Sequence, residues 1–403
     1  MPRGTKTTII GLIGATLISG SAMAGGFSRG SADTDILYEA GGFVMRNGVA
    51  YVMPQRGYDT IGGVAATDPN YSDSYIIPSF AGKLALSDNL SCAGTYTQPF
   101  GAKSTYGPQA IQAGINADLA DSVPVNGASG TSFTDFTTDE FGVTCGYRFN
   151  VGRGNLWILG GGFLESISYE EGNMIGDAVL GTAAVLSLTE SSVPGYRIGA
   201  AYEIPEIALR VQGMYRSAVE HSLTGTFSVD GLGTFSSVGA ATMPQSFELK
   251  AQSGIAPGWL AFGSVTWTDW SVLQTLNYTT TGPRQKEFFY QDGWTVSGGV
   301  GHAFNDMISG SLSFTWNSGV STTEDVNEDT FGVSGGISVA DSAGGQLRLG
   351  GGITYLTGGS VAQAGNCGGG APGDCGDGPG GAFAYTVGND WAFALGASYK
   401  RPF

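Results

Sequence analysis

The stretch NDWAFALGASYKRPF, residues 389–403, decides the fold. Trp391, Phe393, Leu395, Ala397, Tyr399 and Phe403 fall on one side of an extended chain, with Arg401 the exception near the end. Period-two alternation of this kind is the mark of a two-faced β-strand. The same pattern recurs upstream. In IALRVQGMYR, Ile207, Leu209, Val211 and Tyr215 alternate with Arg210, Gln212 and Arg216; in DEFGVTCGYRF, Phe141, Val143, Cys145, Tyr147 and Phe149 alternate with Glu140, Thr144 and Arg148.

A soluble sandwich alternates too, so the connections carry the decision. Fourteen strands are expected, near 42–55, 74–86, 89–106, 137–150, 155–170, 194–203, 207–218, 245–254, 259–270, 291–303, 306–316, 331–340, 345–357 and 390–403. Short links occur at SDN, NVGRG, IPE, IAPG, FND and DSAGG, and the others run to roughly 14 to 32 residues, the rhythm of a transmembrane barrel with tight periplasmic turns and long outer loops. The expected fold is all-β: a closed antiparallel barrel, because unpaired strand edges cannot be solvated in hydrocarbon.

Composition agrees. Of 403 residues, 13% are charged, where soluble domains carry roughly a quarter. The 11% aromatic content excludes a disordered chain, and a net charge of −16 argues against nucleic acid as a partner. Arg3 and Lys6 precede the apolar run Ile9–Ile18, and Ala22-Met23-Ala24 has the small residues of a signal-peptidase site. Residues 1–24 are therefore expected to be a signal peptide cleaved after Ala24, followed by an N-terminal segment 25–41 and the barrel 42–403.

Cys367 and Cys375, in NCGGGAPGDCGDG, are candidates for a loop disulfide, and Cys92 and Cys145 lie on neighbouring expected strands where a bridge is open to them. Two histidines, His221 in an expected outer loop and His302 near the opposite rim, with no nucleophile elbow beside either, make an enzyme or a metal site unexpected, and no cofactor is foreseen. The acidic groups Glu324, Asp325, Glu328, Asp329 and Glu170, Glu171, Asp177 read as a solvated outer rim or, alternatively, as a place where divalent cations bridge to lipopolysaccharide. GPQAIQAGINADLADSV, residues 107–123, spaces Ile111, Ile115, Leu119 and Val123 as a short helix would, resting on the mouth. Pro99 lacks a ladder donor and Gly101 permits irregular backbone, so Pro99, Phe100 and Gly101 predict a break in the third strand.

GGFSRGSADTDILYEAGGFVMRNGVAYVMPQRGYDTIGG (25–63) and YIIPSFAGKLALSDNLSCAGTYTQPFGAKSTYG (75–107) resemble the FadL family of outer-membrane long-chain fatty acid transporters, in the shortened form of some alphaproteobacteria. The resemblance implies a fourteen-stranded barrel with an N-terminal hatch as its moving part. It further implies passive uptake of hydrophobic small molecules and sideways release into the membrane through a kinked third strand, which makes Pro99, Phe100 and Gly101 the lateral opening. The Asn-Pro-Ala element of longer members is absent here, so either the short segment fills the lumen or loops share that task.

A fatty acid needs an apolar slot with a cation at one end. Candidate lumen cations are Lys83, Arg148, Arg197, Arg210 and Arg348, with Arg216 and Lys250 beside them; the alternative is that they pair with lumen acids such as Glu140, Glu165 and Glu248. Phe27, Ile36, Leu37 and Tyr38 are the candidate apolar contacts of the hatch. The expected partners are hydrophobic small molecules and the lipid and lipopolysaccharide of the outer membrane, with the protein acting as a monomer. A polar-solute porin and a structural or adhesion barrel are the rival readings.

Overall fold

The computed structural model describes residues 25–120, 128–280, 282–323, 325–362 and 383–403. Fourteen antiparallel strands form one closed wall: β1 (Phe43–Gln55), β2 (Tyr75–Ala85), β3 (Leu90–Thr97, resuming as Gly101–Thr105), β4 (Ser129–Val151), β5 (Gly154–Ile175), β6 (Thr182–Ile204) and β7 (Leu209–Arg216, then Val219–Val229). The round continues with β8 (Gly233–Met243, then Ser246–Ala256), β9 (Trp259–Thr268, then Thr275–Thr279), β10 (Pro283–Glu287, then Gly293–Ala303), β11 (Ile308–Asn317), β12 (Thr330–Ala340), β13 (Gln346–Leu356) and β14 (Asp390–Pro402). Closure is explicit at Val49 of β1, which faces Pro78 of β2 on one side and Ala397 of β14 on the other.

The alternation read from the sequence sets the faces. Trp391, Phe393 and Leu395 point out while Ala392 and Ala394 are buried, and Phe141 and Val143 point out while Glu140 and Thr144 are buried. Apolar side chains on that outer face meet lipid, where a charge would cost about 2 to 4 kcal/mol at the midplane. The expected tight turns all sit on one rim, together with the start of β1 and the end of β14.

Seven strands, β4 to β10, run well past their expected bounds. β4, β5 and β6 run for 23, 22 and 23 residues, well beyond the ~10 that cross a bilayer, and β7 and β8 extend through 219–243. Two connections expected as long outer loops are thus strand walls closed by short turns at 176–181 and 230–232. Polarity inverts in these extensions. Low on β6, Tyr196 and Ile198 face out and Arg197 faces in; higher up, Leu186 and Leu188 are buried inward and Thr189 faces out. A register shift between Glu165 and Ile167, opposite Ser192 with its φ of 64°, changes which parity points inward.

The short helix Pro108–Ala120 lies on the mouth as expected, with Ile111 and Ile115 buried but Leu119 exposed; Val123 is outside the described residues. Its first turn is capped from a distance by Asp68, whose carboxylate accepts from the amides of Gln109 and Ala110 at 3.1 and 2.7 Å. Cys92 and Cys145 face each other across β3 and β4 and are joined by a disulfide. Cys367 and Cys375 lie outside the described residues, as do residues 1–24.

Candidate transport path

The N-terminal segment runs up the inside of the barrel. At the short-turn rim, the 3-10 turn Thr34–Tyr38 packs Ile36 and Leu37, both fully buried, on Ala81, Ala93, Trp157 and Leu159 of the wall. Its acids are clamped by wall cations: Asp33 and Glu39 by Arg46 at 2.6 and 2.5 Å, Glu39 also by Lys400 at 2.8 Å, and Asp35 by Lys250 at 3.2 Å. At its upper end, Phe27 is held in a cage of Phe136, Trp270, Phe288 and Tyr290, with ring centroids 5.6 to 5.8 Å away.

Between these anchors the segment meets the break in β3. The ladder between β2 and β3 stops at Phe80 and Tyr96, so Tyr75–Ser79 lack a β3 partner. In their place, the amides of Arg29 and Gly30 donate to the carbonyls of Pro99 and Gln98 at 2.8 and 2.9 Å, and Gly101 N–H donates to Phe27 C=O at 2.9 Å. Two glycines make this close approach possible. A Cβ on Gly30 would sit 2.6 Å from Thr97 Oγ1, and one on Gly101 would sit 2.6 Å from the Arg29 guanidinium and 2.7 Å from Phe136 O.

The interior is divided by polarity. Toward the loop rim the extended strands enclose an apolar cluster that includes Phe100, Phe163, Leu186, Leu188, Leu223 and Trp270. Below it lies a cavity of about 430 Å³ with a mixed lining, bordered by Arg29, Pro99, Glu140, Arg197, Arg216 and Lys250 among others. The boundary is a buried charge chain: Arg197 to Glu140, Glu140 to Arg216 at 3.0 Å, Arg216 to Glu165, and Glu165 to His221 at 3.1 Å, which also reaches Glu190 at 3.1 Å. The Arg197 and Arg216 guanidinium groups lie 4.5 and 4.6 Å from the Phe163 ring centroid, and Arg216 lies 5.2 Å from that of Phe100, so these charges form a polar floor under the apolar cluster.

A family model described as outer membrane protein transport protein (OMPP1/FadL/TodX) matches residues 16–309. The chain belongs to this family. It is 23% identical to the long-chain fatty acid transport protein of Escherichia coli K12, over 83% of this chain and 86% of that one. Its fold is that of a Pseudomonas aeruginosa FadL homologue (TM-score 0.69, 14% identity, 96% of this chain and 98% of the other). The Pseudomonas putida toluene transporter TodX superposes with a TM-score of 0.58 at 12% identity, over 96% and 94% of the two chains. The protein is accordingly an outer-membrane β-barrel of a transport family.

In this FadL-family barrel the candidate residues divide. Arg197, Arg210 and Arg348 border the 430 Å³ cavity. Arg210 stacks 3.7 Å over the Tyr38 ring and reaches Glu203 at 3.5 Å, and Arg348 bonds Gln346. Lys83 is spent on the carbonyls of Glu39 and Gly41, where it ties down the end of the N-terminal segment. Arg148 lies at the short-turn rim and donates to Asp88 C=O at 2.8 Å, away from the cavity. Ile36 and Leu37 anchor the segment to the wall and do not border the cavity, and Tyr38 donates to Gln212 at 2.7 Å.

Several other expectations are corrected. His221 is a buried strand residue of β7, because the chain there continues the wall where a loop was expected. Glu171 is buried against Lys286 at 2.6 Å, while Asp177 caps its own turn through the amides of Val179 and Leu180. Asp329 accepts from Trp316 Nε1 and Gly319 N–H, both at 2.9 Å, and Asp325 accepts from Tyr290 OH at 2.5 Å and from Ser321. Asp325 and Asp329 thus fold the loop 318–329, while Glu170, Asp177 and Glu328 are exposed as the solvated-rim reading expects; Glu324 is outside the described residues. The sequence reading did not name Arg29 as a site residue; its only signal is its place within the N-terminal segment expected to move.

Proposed function

We propose that the barrel is a passive outer-membrane channel for hydrophobic compounds, with long-chain fatty acids as the leading cargo and release sideways between β2 and β3. In this reading residues 1–24 are a signal peptide removed after Ala24, Gly25–Gly41 is the hatch, and the barrel works as a monomer in contact with lipid and lipopolysaccharide. The observation that carries the proposal is the inverted polarity of the extended strands, which gathers an apolar cluster directly beside the interrupted β2–β3 ladder. An apolar molecule gains about 25 cal/mol per Å² of surface that it buries against such a cluster. It then needs only displacement of Phe27–Gly30, held by three backbone hydrogen bonds to β3, to reach lipid.

A compact aromatic cargo is the second reading. It is favoured by a smaller cavity of about 130 Å³ next to Phe27, bordered by Tyr58, Tyr71, Tyr106 and Tyr385. The test is uptake of labelled oleate and of toluene by a strain lacking its own carrier, with and without this protein, beside liposome swelling in sugars. Oleate uptake with little sugar flux is expected; rapid sugar flux with no gain in either apolar solute would return the protein to the porins.

A further inference from the structure

Arg29 is buried to 5% exposure on the N-terminal segment, where that segment bridges the gap between β2 and β3. Its guanidinium lies 4.1 Å from the Tyr75 ring centroid and against the bare Cα of Gly101. Neither Nε nor Nη2 has a hydrogen-bond acceptor among the described residues. The nearby acid, Asp135, is already taken by Lys103 at 2.8 Å. A buried cation with open donors is costly, and such groups are ordinarily satisfied by a partner. Nε and Nη2 are also the two donors that a carboxylate engages side-on, through two parallel bonds. Arg46, Arg197 and Arg210 also border the cavity and also carry an open nitrogen, but each already holds an acid: Asp33 and Glu39, Glu140, and Glu203 respectively.

We propose that Arg29 receives the carboxylate of an amphiphilic cargo at the β2–β3 gap, so that the channel prefers anionic amphiphiles to neutral analogues of the same length. This rests on the hydrophobic-channel reading above. The tail lies against the apolar cluster that includes Phe100, while the head group meets Arg29 in the cavity that both residues border. Because Arg29 N–H holds Pro99 C=O, a head group drawn to the side chain acts on the same residue that closes the ladder.

The full chain, purified in non-ionic detergent at pH 8, is titrated with dibromostearate and with its methyl ester, with tryptophan quenching as the readout. The acid is expected to bind about tenfold more tightly than the ester. Arg29→Gln removes that preference and leaves the ester's affinity unchanged, Arg29→Lys keeps part of it, and millimolar acetate does not displace the acid. Equal binding of acid and ester by the wild type, or an equal loss of both in Arg29→Gln, would overturn the assignment while leaving the channel reading intact. Displacement by acetate would likewise overturn it, by marking a general anion site with no claim on the tail. Failure of the wild type to bind either probe would remove the channel reading and this assignment together.

Discussion

Ser28 and Phe100 form a β-bridge inside the barrel, so the N-terminal segment supplies to β3 the pairing that β2 withholds. The bridge holds as long as Phe27, one residue away, stays in its cage of four aromatic rings. Edge-to-face pairs contribute about 0.5 to 1.5 kcal/mol each beyond their buried area. Phe27→Ala is therefore expected to release the segment while the barrel remains closed. Amide exchange at Gly30 and Gly101 should accelerate severalfold in the variant, with exchange along β1 and β14 unchanged; identical protection at Gly30 would mean the cage is not the anchor.

Gly101→Val tests the same junction from the wall. The new Cβ has no room beside the Arg29 guanidinium or Phe136 O, and neither neighbour yields without breaking its own contacts. Overpacking of this kind costs about 1 to 3 kcal/mol, charged here to the bridged segment and not to the barrel. The expected result is a barrel that still resists unfolding on a cold detergent gel, with altered oleate uptake and greater cleavage near Arg29 by trypsin. Uptake and cleavage equal to wild type would show that the segment does not control the proposed lateral opening.

The part of the fold that crosses lipid was legible because lipid imposes one rule on every strand, apolar outward, and alternation such as Trp391, Phe393 and Leu395 records it directly. The extensions of β4 to β8 were not, because above the bilayer the rule reverses: Leu186 and Leu188 turn inward, the polar residues turn out, and the segment resembles a loop. The break at Pro99 was readable from its missing donor. What fills it was not, since Arg29 and Ser28 reach Pro99 and Phe100 only through the path of the whole segment. The adjacency of Cys92 and Cys145 on paired strands was visible, and so was their bridge as an open option. The fate of Asp325 was invisible, because an acid in a loop carries no sign of whether a tyrosine from another loop will cover it.

The charge chain makes a quantitative prediction. Glu140 is buried and shared between Arg197 and Arg216. Glu140→Gln leaves Arg197 without a carboxylate at the bonding distance it now has, and breaking one side of a buried pair typically costs about 3 to 5 kcal/mol. Removing the cation as well relieves much of this. The double variant Glu140→Gln, Arg197→Gln should unfold at a higher temperature than Glu140→Gln alone, as followed by the gel-mobility shift on heating. Additive losses in the double-mutant cycle would show that the two side chains are not coupled.

Asp325 gives the loop 318–329 a pH dependence of known sign. Burial pushes its carboxyl up to about 6, against the opposing pull of hydrogen bonds from Ser321 and Tyr290. In an opened loop the same group returns to the ordinary carboxylate value near 4. Between roughly pH 4 and 6 the closed loop therefore binds more protons than the open one, so closure strengthens as pH falls through that window and weakens as pH rises through 6. Because Tyr290 also belongs to the cage around Phe27, and Asn327 of this loop donates to Gly26 C=O at 3.3 Å, the effect reaches the end of the N-terminal segment. Opening of residues 318–323 and of Gly26, measured by hydrogen exchange corrected for its intrinsic pH dependence, should be rarer at pH 5 than at pH 7.5. Asp325→Asn, which keeps an acceptor for Tyr290 but cannot ionise, should remove the difference; a difference that persists in that variant would assign the pH dependence to another group.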